Sequence, residues 1–389
     1  MTSKECFVYI QLPDSLELVT IGKLMWQKNG AGTEVGVFVY GGKYLENPKA
    51  FAIDSFELPL EPKEFRSTKN EGLHGVLRDA SPDSWGRCVI QKNTPPSEHH
   101  EIGYLLNSAE DRVGALSFGF GKTPPAPVQN FIKTVSLDQL IVAAHKLEQD
   151  LPIDETEKAL LMAGVSAGGA RPKTTIEDDN SLWLAKFPAF SDRHNYSKIE
   201  YATMKLAKEC GLNVPEVKTI KVGSKDVFLI KRFDRRFDAK SKTYLRTHFV
   251  SGLTLLQIDE RDREKWSYLD LADQMRRWLD KPSQDLKELF KRMIFNGLIS
   301  NTDDHPRNHG FLFAGKGYRL SPVYDLVPKP EIGSIRYSAL QIGSNGREFR
   351  LQNFLSSCEA FDLTPKQAEK IFYELKRKIS SWQPFYAEQ

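Results

Sequence analysis

Cysteine is scarce in this chain. The four present in 389 residues, Cys6, Cys88, Cys210 and Cys358, stand far apart and form no CxxC pair, so neither a disulfide framework nor a zinc knuckle is indicated and a reducing cytoplasm fits best. Long apolar runs are missing as well. Nothing approaches bilayer-spanning length, and Met1 to Cys6 lead straight into an alternating segment with no apolar signal core, which points away from secretion and from membrane insertion. Charge of one sign is lacking: 54 basic against 51 acidic residues leave a net +3, too balanced for a dedicated nucleic-acid binder. There is no internal repeat, no low-complexity tract and no P-loop. Lys173 follows no glycine at the required position, and Leu116 stands where the first glycine of a loop ending Gly121-Lys122-Thr123 would have to be.

What the chain does have is apolar and aromatic content (40% and 11%) sufficient for two or three cored domains. Residues 1–125 read as β-rich, with Phe7 to Ile10, Thr33 to Tyr40 and apolar segments at Phe51–Ile53 and Leu58–Leu60 set between Gly and Pro. A helix start is signalled at Ser81-Pro82, and Pro124-Pro125-Ala126-Pro127 reads as a linker. From 126 to 245 the pattern gives a helix over 136–149, a strand at 182–187, a helix over 197–210 closed by Gly211, and a hairpin over 214–231. From 246 to 389 it turns helical, most clearly over 283–298, where Leu286, Leu289, Phe290, Met293, Ile294 and Leu298 share a face.

That last helix delivers the chain into Asn301-Thr302-Asp303-Asp304-His305-Pro306-Arg307-Asn308, followed by Ser321-Pro322-Val323-Tyr324-Asp325-Leu326. An Asp, an Asn five residues on and a second Asp downstream is the order in which a protein-kinase site supplies its base and metal ligands. An attacking hydroxyl needs a carboxylate for its proton, and Mg2+ needs hard oxygens beside the triphosphate. Asp303 fits the first need, Asn308 and Asp325 the second. The same residue types also cap helices and shape turns. His305 and His309 have the four-residue spacing of helical zinc ligands, but Pro306 interrupts such a helix and no catalytic Glu follows His305.

A nucleotide site also needs a phosphate cradle. Ser166-Ala167-Gly168-Gly169-Ala170 lets backbone N–H groups approach oxygens, with Arg171 and Lys173 adding charge, although a Gly-Gly turn between two elements has the same composition. Lys186 stands inside an apolar strand, where a lysine either snorkels or meets an anion. Glu200 can pair with it, or can close a capping box with Ser197. The cluster Arg232-Phe233-Asp234-Arg235-Arg236, directly after an apolar strand, reads as a hinge or salt-bridged turn rather than a base-reading patch.

Together these segments resemble the HipA-like serine/threonine kinases, the toxin halves of bacterial HipBA toxin–antitoxin modules. The resemblance rests on Leu77-Arg78-Asp79-Ala80-Ser81-Pro82-Asp83-Ser84-Trp85-Gly86, the Ser166 to Lys173 loop, the Lys186 strand, Arg232-Phe233-Asp234-Arg235, Asn301 to Asn308 and Pro322 to Leu326, and covers nearly the whole chain. It implies an α+β, two-lobed protein-kinase-like fold: a β-rich N-terminal region with a nucleotide-binding lobe, and an all-helical C-terminal lobe. It implies ATP and Mg2+ as cofactors, Asp303 as catalytic base, and Asn308 and Asp325 as magnesium ligands. ATP contacts are implied at Ser166, Ala167, Gly168, Gly169, Ala170, Lys173, Lys186, Lys231, Phe233, His305, Asn308 and Asp325. Ser166 falls on the autophosphorylation position, where added charge would eject the loop from the phosphate site. Implied partners are a target protein with a Ser/Thr hydroxyl, with aminoacyl-tRNA synthetases known among targets, and a helix-turn-helix antitoxin of HipB type that alone contacts DNA. A kinase-fold corepressor of weak activity and a small-molecule kinase are the alternative readings.

Overall fold

The computed structural model describes residues 4–125, 131–133, 137–164, 171–329 and 335–382. The chain divides into two compact units, Met1–Arg193 with Ile220–Val250, and His194–Thr219 with Ser251–Gln389. The first unit opens with a five-stranded antiparallel sheet of β1 (Lys4–Gln11), β2 (Leu18–Lys28), β3 (Glu34–Tyr40), β4 (Glu64–Ser67) and β5 (Leu116–Gly119), in the order β4-β3-β2-β1-β5. The sequence reading leaves β2 out, and a bulge explains why. Val8 pairs with Gly22 but Tyr9 pairs with Thr20, so Ile21 is the extra residue that shifts the apolar alternation by one. Residues 51–60, expected to be strand-like, contribute only an isolated bridge between Asp54 and Leu58. Here the Asp54 carboxylate accepts hydrogen bonds from the Phe56 and Glu57 N–H groups at 2.9 Å each, a local turn that competes with a ladder. The helix signalled at Ser81-Pro82 begins later, as Ser84–Asn93, with Asp83 as its N-cap.

A second sheet follows: β6 (Ile132–Lys133), β7 (Lys173–Asp178), β8 (Ser181–Lys186), β9 (Val217–Val222) and β10 (Lys225–Lys231), in the order β6-β7-β8-β10-β9. The strand at 182–187 and the hairpin over 214–231 form as the pattern predicts. Helices Ser84–Asn93, Glu101–Asn107, Leu137–Glu148 and Glu155–Ala163 cover one face of this sheet. Their Val89, Ile90, Leu140, Ile141 and Leu161 pack with Trp183 and Ala185 of β8 and Val227 and Leu229 of β10. Alternation along β8 therefore turns Leu184 and Lys186 to the other face. Lys173, expected in a loop, is the first residue of β7, which runs antiparallel to β8 and turns back at Asp179 and Asn180, both in the left-handed region. A hairpin of β11 (Arg235–Asp238) and β12 (Thr243–Arg246) completes the unit, and β13 (Phe249–Ser251) carries the chain onward.

The second unit is mainly helical, with one hairpin of β14 (Gly310–Phe313) and β15 (Tyr318–Leu320). Helix Tyr196–Glu209 is capped by Asn195, whose side chain accepts from the Lys198 N–H at 3.1 Å. Ser197 thus lies inside the first turn, and the capping box drawn from Ser197 and Glu200 does not form, because a better cap stands two residues earlier. Helix Pro282–Ile299 starts with proline at its first turn and runs through the core. Leu286, Leu289, Phe290, Met293 and Ile294 are buried as predicted; Leu298 is only half-buried, while Phe295 and Asn296 join the interior. No helix of the described residues is long and apolar enough to cross a membrane.

Candidate functional site

The loop after helix Pro282–Ile299 is held from below by buried polar groups. Ser300 leaves the helix in the left-handed conformation, φ 65°. Asn301 then turns back, its N–H on the Asn296 carbonyl at 2.9 Å and its side-chain amide on Asn296 Oδ1 at 3.1 Å. Asp304 is 2% exposed. The Tyr268 hydroxyl donates to its Oδ2, Asn296 Nδ2 reaches Tyr268 at 3.5 Å, and His309 Nε2 lies 3.3 Å from Oδ1. Burial pushes the Asp304 pKa up, but His309 and Tyr268 outweigh it and hold the carboxyl below its usual value. Burial first and Asp304 second keep the Tyr268 hydroxyl well above its usual range, so it stays a neutral donor.

Asp303 is the opposite of its neighbour. Its side chain is 63% exposed and makes one ion pair among the described residues, with Lys329 Nζ at 3.1 Å. The chain then enters a 3-10 turn, Pro306–Asn308, so His305 and His309 do not share a helix. The turn needs Gly252 beside it: the Gly252 N–H donates to the His309 carbonyl at 2.7 Å, and a Cβ there would stand 2.7 Å from the Pro306 oxygen. His309 goes to Asp304, and His305 lies edge-on to Trp266 with ring centroids 6.3 Å apart. Asn308 is buried, its amide nitrogen 3.4 Å from the Asp303 carbonyl oxygen, which leaves its Oδ1 as the open acceptor. Asp325 holds a left-handed backbone, φ 59°, a conformation Asp tolerates better than most side chains. The preceding Tyr324 donates its hydroxyl to the Arg307 carbonyl at 2.7 Å, which laces the Asp325 segment to the Asn308 turn. One amide oxygen and one carboxylate on two laced turns suit Mg2+, which keeps several waters and substrate oxygens and needs few protein ligands.

In the first unit, Ser166, Ala167, Gly168, Gly169 and Ala170 lie outside the described residues. Arg171 pairs with Asp192. Lys173 and Lys186 are direct cross-strand partners and so share a sheet face, next to Phe228, whose ring centroid is 5.9 Å from Lys186 Nζ. Like charges directly opposite each other repel. Lys173 is buried with Asp83 Oδ2 at 3.8 Å, an acid that the sequence reading assigns only to a motif. Lys231 points to the other face, 5.9 Å over the Trp183 ring. Phe233 follows, half-buried. Arg232 and Arg235 form the salt-bridged alternative of the sequence reading. They close a buried knot with Asp111 and Asp234: Arg232 to Asp111 at 2.7 Å, Arg232 to Asp234 at 2.7 Å, and Arg235 to Asp234 at 2.8 Å.

Sequence reasoning missed Tyr268, Asn296 and Lys329, and set His309 aside as a zinc decoy. No local spacing points to Tyr268, which comes from a separate helix, Tyr268–Trp278, 36 residues from Asp304. A buried acid on a loop that ends a core helix is the signal that would have called for such partners.

Both units mix helices and strands. Residues 15–119 match the HipA N-terminal domain family and residues 165–383 the HipA-like C-terminal domain family; the chain belongs to the HipA-like family. Among curated relatives, a Haemophilus influenzae protein named as a candidate kinase is 26% identical over 48% of this chain and 60% of its own length. The serine/threonine-protein kinase toxin HipA of Shewanella oneidensis is 30% identical over 42% of this chain and 43% of its own. The matched regions therefore span less than two thirds of either relative. Among solved structures, the Shewanella oneidensis complex of HipA, HipB and operator DNA contains a chain that matches with a TM-score of 0.69 at 18% identity, covering 96% of this chain and 88% of that one. At that identity the likeness is one of fold.

Proposed function

We propose that this chain is an ATP- and Mg2+-dependent protein serine/threonine kinase of HipA type, a toxin that phosphorylates a cellular protein and inactivates itself at Ser166. The observation that carries the reading is the contrast within one loop: Asp304 is buried and braced by Tyr268 and His309, while the adjacent Asp303 projects to solvent with Asn308 tied to its backbone. A loop that merely ended a helix would not need a buried acid to aim an exposed one.

In this reading Asp303 accepts the proton of a Ser or Thr hydroxyl as its oxygen bonds to the γ-phosphorus and the bond to the β-bridging oxygen breaks, which releases ADP. Lys186 would contact the phosphates, with Lys173 as its direct cross-strand neighbour; Ser166, Ala167, Gly168, Gly169 and Ala170 are the residues proposed to supply the other phosphate contacts. Asn308 and Asp325 would hold Mg2+, and the ion would supply positive charge beside the triphosphate oxygens. His305 and the backbone at Lys231 and Phe233 complete the nucleotide contacts. The target hydroxyl belongs to a protein, possible classes including aminoacyl-tRNA synthetases, and the partner is a helix-turn-helix antitoxin in the role HipB has beside HipA, with DNA reached only through it. The cytoplasm is the proposed site of action.

Purified chain with radioactive Mg-ATP and a protein lysate tests this directly. Wild type labels protein and Asp303→Asn, equally folded, does not; labelling by the variant at the original rate rejects the base. Intact-mass measurement shows one phosphate added to wild type and none retained by Ser166→Ala if Ser166 is the self-modified residue.

A further inference from the structure

Lys329 was not among the residues that the sequence pattern picks out, yet it makes the one ion pair of Asp303 among the described residues, at 3.1 Å on Oδ2. Both ends of that pair are anchored. The Lys329 N–H donates to the Ser300 carbonyl at 3.0 Å, at the very end of the helix that launches the Asp303 loop. Arg336 reaches the Ser300 hydroxyl from further along the same segment, and Tyr324 holds its near end to Arg307. Tyr324 before Lys329 and Arg336 after it are therefore each tied to the loop or to the helix end that launches it.

An ion pair this open, 44% and 63% exposed at its two side chains, contributes little to stability because water and salt screen it. Its consequence is orientation. A solvent-exposed Asp turns freely about two side-chain bonds, and a base must meet the hydroxyl proton within hydrogen-bond reach. We propose that Lys329 is a positioning residue for phosphoryl transfer, holding Asp303 by Oδ2 so that Oδ1 is presented to the acceptor hydroxyl. The proposal rests on the reading of Asp303 as base, and it concerns the acceptor side of the reaction, separate from nucleotide binding.

The experiment compares wild type, Lys329→Met, Lys329→Arg and Asp303→Asn in steady-state kinetics, with thermal melting as a control. Lys329→Met is expected to lower kcat about ten- to a hundredfold, the scale of a misplaced catalytic group. The KM for Mg-ATP should stay within about twofold and the melting temperature should not move; Lys329→Arg, which keeps the cation, should recover most of kcat. A Lys329→Met enzyme with wild-type kcat, or with a raised one, overturns the proposal while a dead Asp303→Asn leaves the base assignment standing. Equal losses in kcat and in nucleotide affinity, or a lowered melting temperature, make Lys329 a structural strut and also overturn it. If Asp303→Asn keeps full activity, the base assignment itself fails and the positioning role goes with it.

Discussion

Two clusters of charge in this molecule use the same residue types to opposite ends. In the first unit, the Arg232–Asp234–Arg235 knot is buried and fully bonded. Arg232 adds the Arg112 carbonyl and the Thr175 hydroxyl, Arg235 adds the Gly114 carbonyl at 2.9 Å, and the Gly114 N–H returns to Asp234 at 2.8 Å. Arg246 joins from β12 to the carbonyls of Gly114 and Leu116 and the hydroxyl of Ser117. Burial would push the Asp234 pKa up; Arg232 and Arg235 instead hold it far below the usual carboxylate range. In the second unit, Asp304 is satisfied in the same manner, but beside it Asp303 stands in water with one cation. Complete partnership fixes chain segments more than a hundred residues apart, whereas Asp303 stays open to solvent with a single cation beside it.

The largest effect should come from the open acid. Asp303→Asn is expected to reduce phosphoryl transfer by about 10³-fold or more, while the unfolding free energy from urea titration changes by no more than about 0.5 kcal/mol, as for an ordinary surface change. Asp234→Ala should do the reverse. It leaves two arginines buried with one acid between them and is expected to cost about 3–5 kcal/mol in denaturant unfolding. A cost near zero there, or a large one at Asp303, would erase the distinction between the clusters.

Tyr268→Phe tests the boundary between them. It removes a neutral donor from a buried carboxylate without opening a cavity, so the expected loss is about 1–3 kcal/mol, and the melting temperature is its measure. Because Asp304 aims the loop that carries Asp303, kcat should fall as well, but less than in Asp303→Asn; unchanged kcat would mean that the brace supports the fold alone.

How much of this was legible in advance follows from which signals are local. The strand at Lys186, the hairpin over 214–231 and the helix into the Asp303 loop each carry their periodicity in neighbouring residues, and each formed where read. β2 was hidden because the bulge at Ile21 breaks its alternation. The 51–60 segment misled because Asp54 captures backbone donors that a strand would have used. The order of Asp303, Asn308 and Asp325 was visible as spacing; the contrast in surroundings between exposed Asp303 and buried Asp304 was not. It depends on Tyr268 and Lys329, which reach the loop through tertiary structure, and sequence distance carries no trace of them.

The smallest effect separates burial from partnership once more, at Asp54. This side chain is 0% exposed. Oδ1 serves the Phe56 and Glu57 N–H groups, while Oδ2 is buried with no hydrogen-bond partner among the described residues. Burial pushes its pKa from 3.8 up to about 7, against the hydrogen bond from Glu57 and with help from the Glu57 and Asp79 charges. A group with a raised folded pKa stabilises most below its unfolded value, and that contribution is lost as pH rises through the folded one. Wild type should therefore lose stability between about pH 4 and pH 7 at this site. Asp54→Asn retains the Oδ1 acceptor and abolishes the titration, so the melting temperature of the variant minus that of wild type should climb across the same interval and level off above it. His74 and His248, whose pKa values burial lowers to about 4, lose stability in the opposite direction as pH falls from about 6.5, but they do so in both proteins and cancel in the difference. A difference that stays flat from pH 4 to pH 8 would mean that Asp54 is ionised in the folded chain, and that this lone buried acid has a cationic partner as Asp234 does.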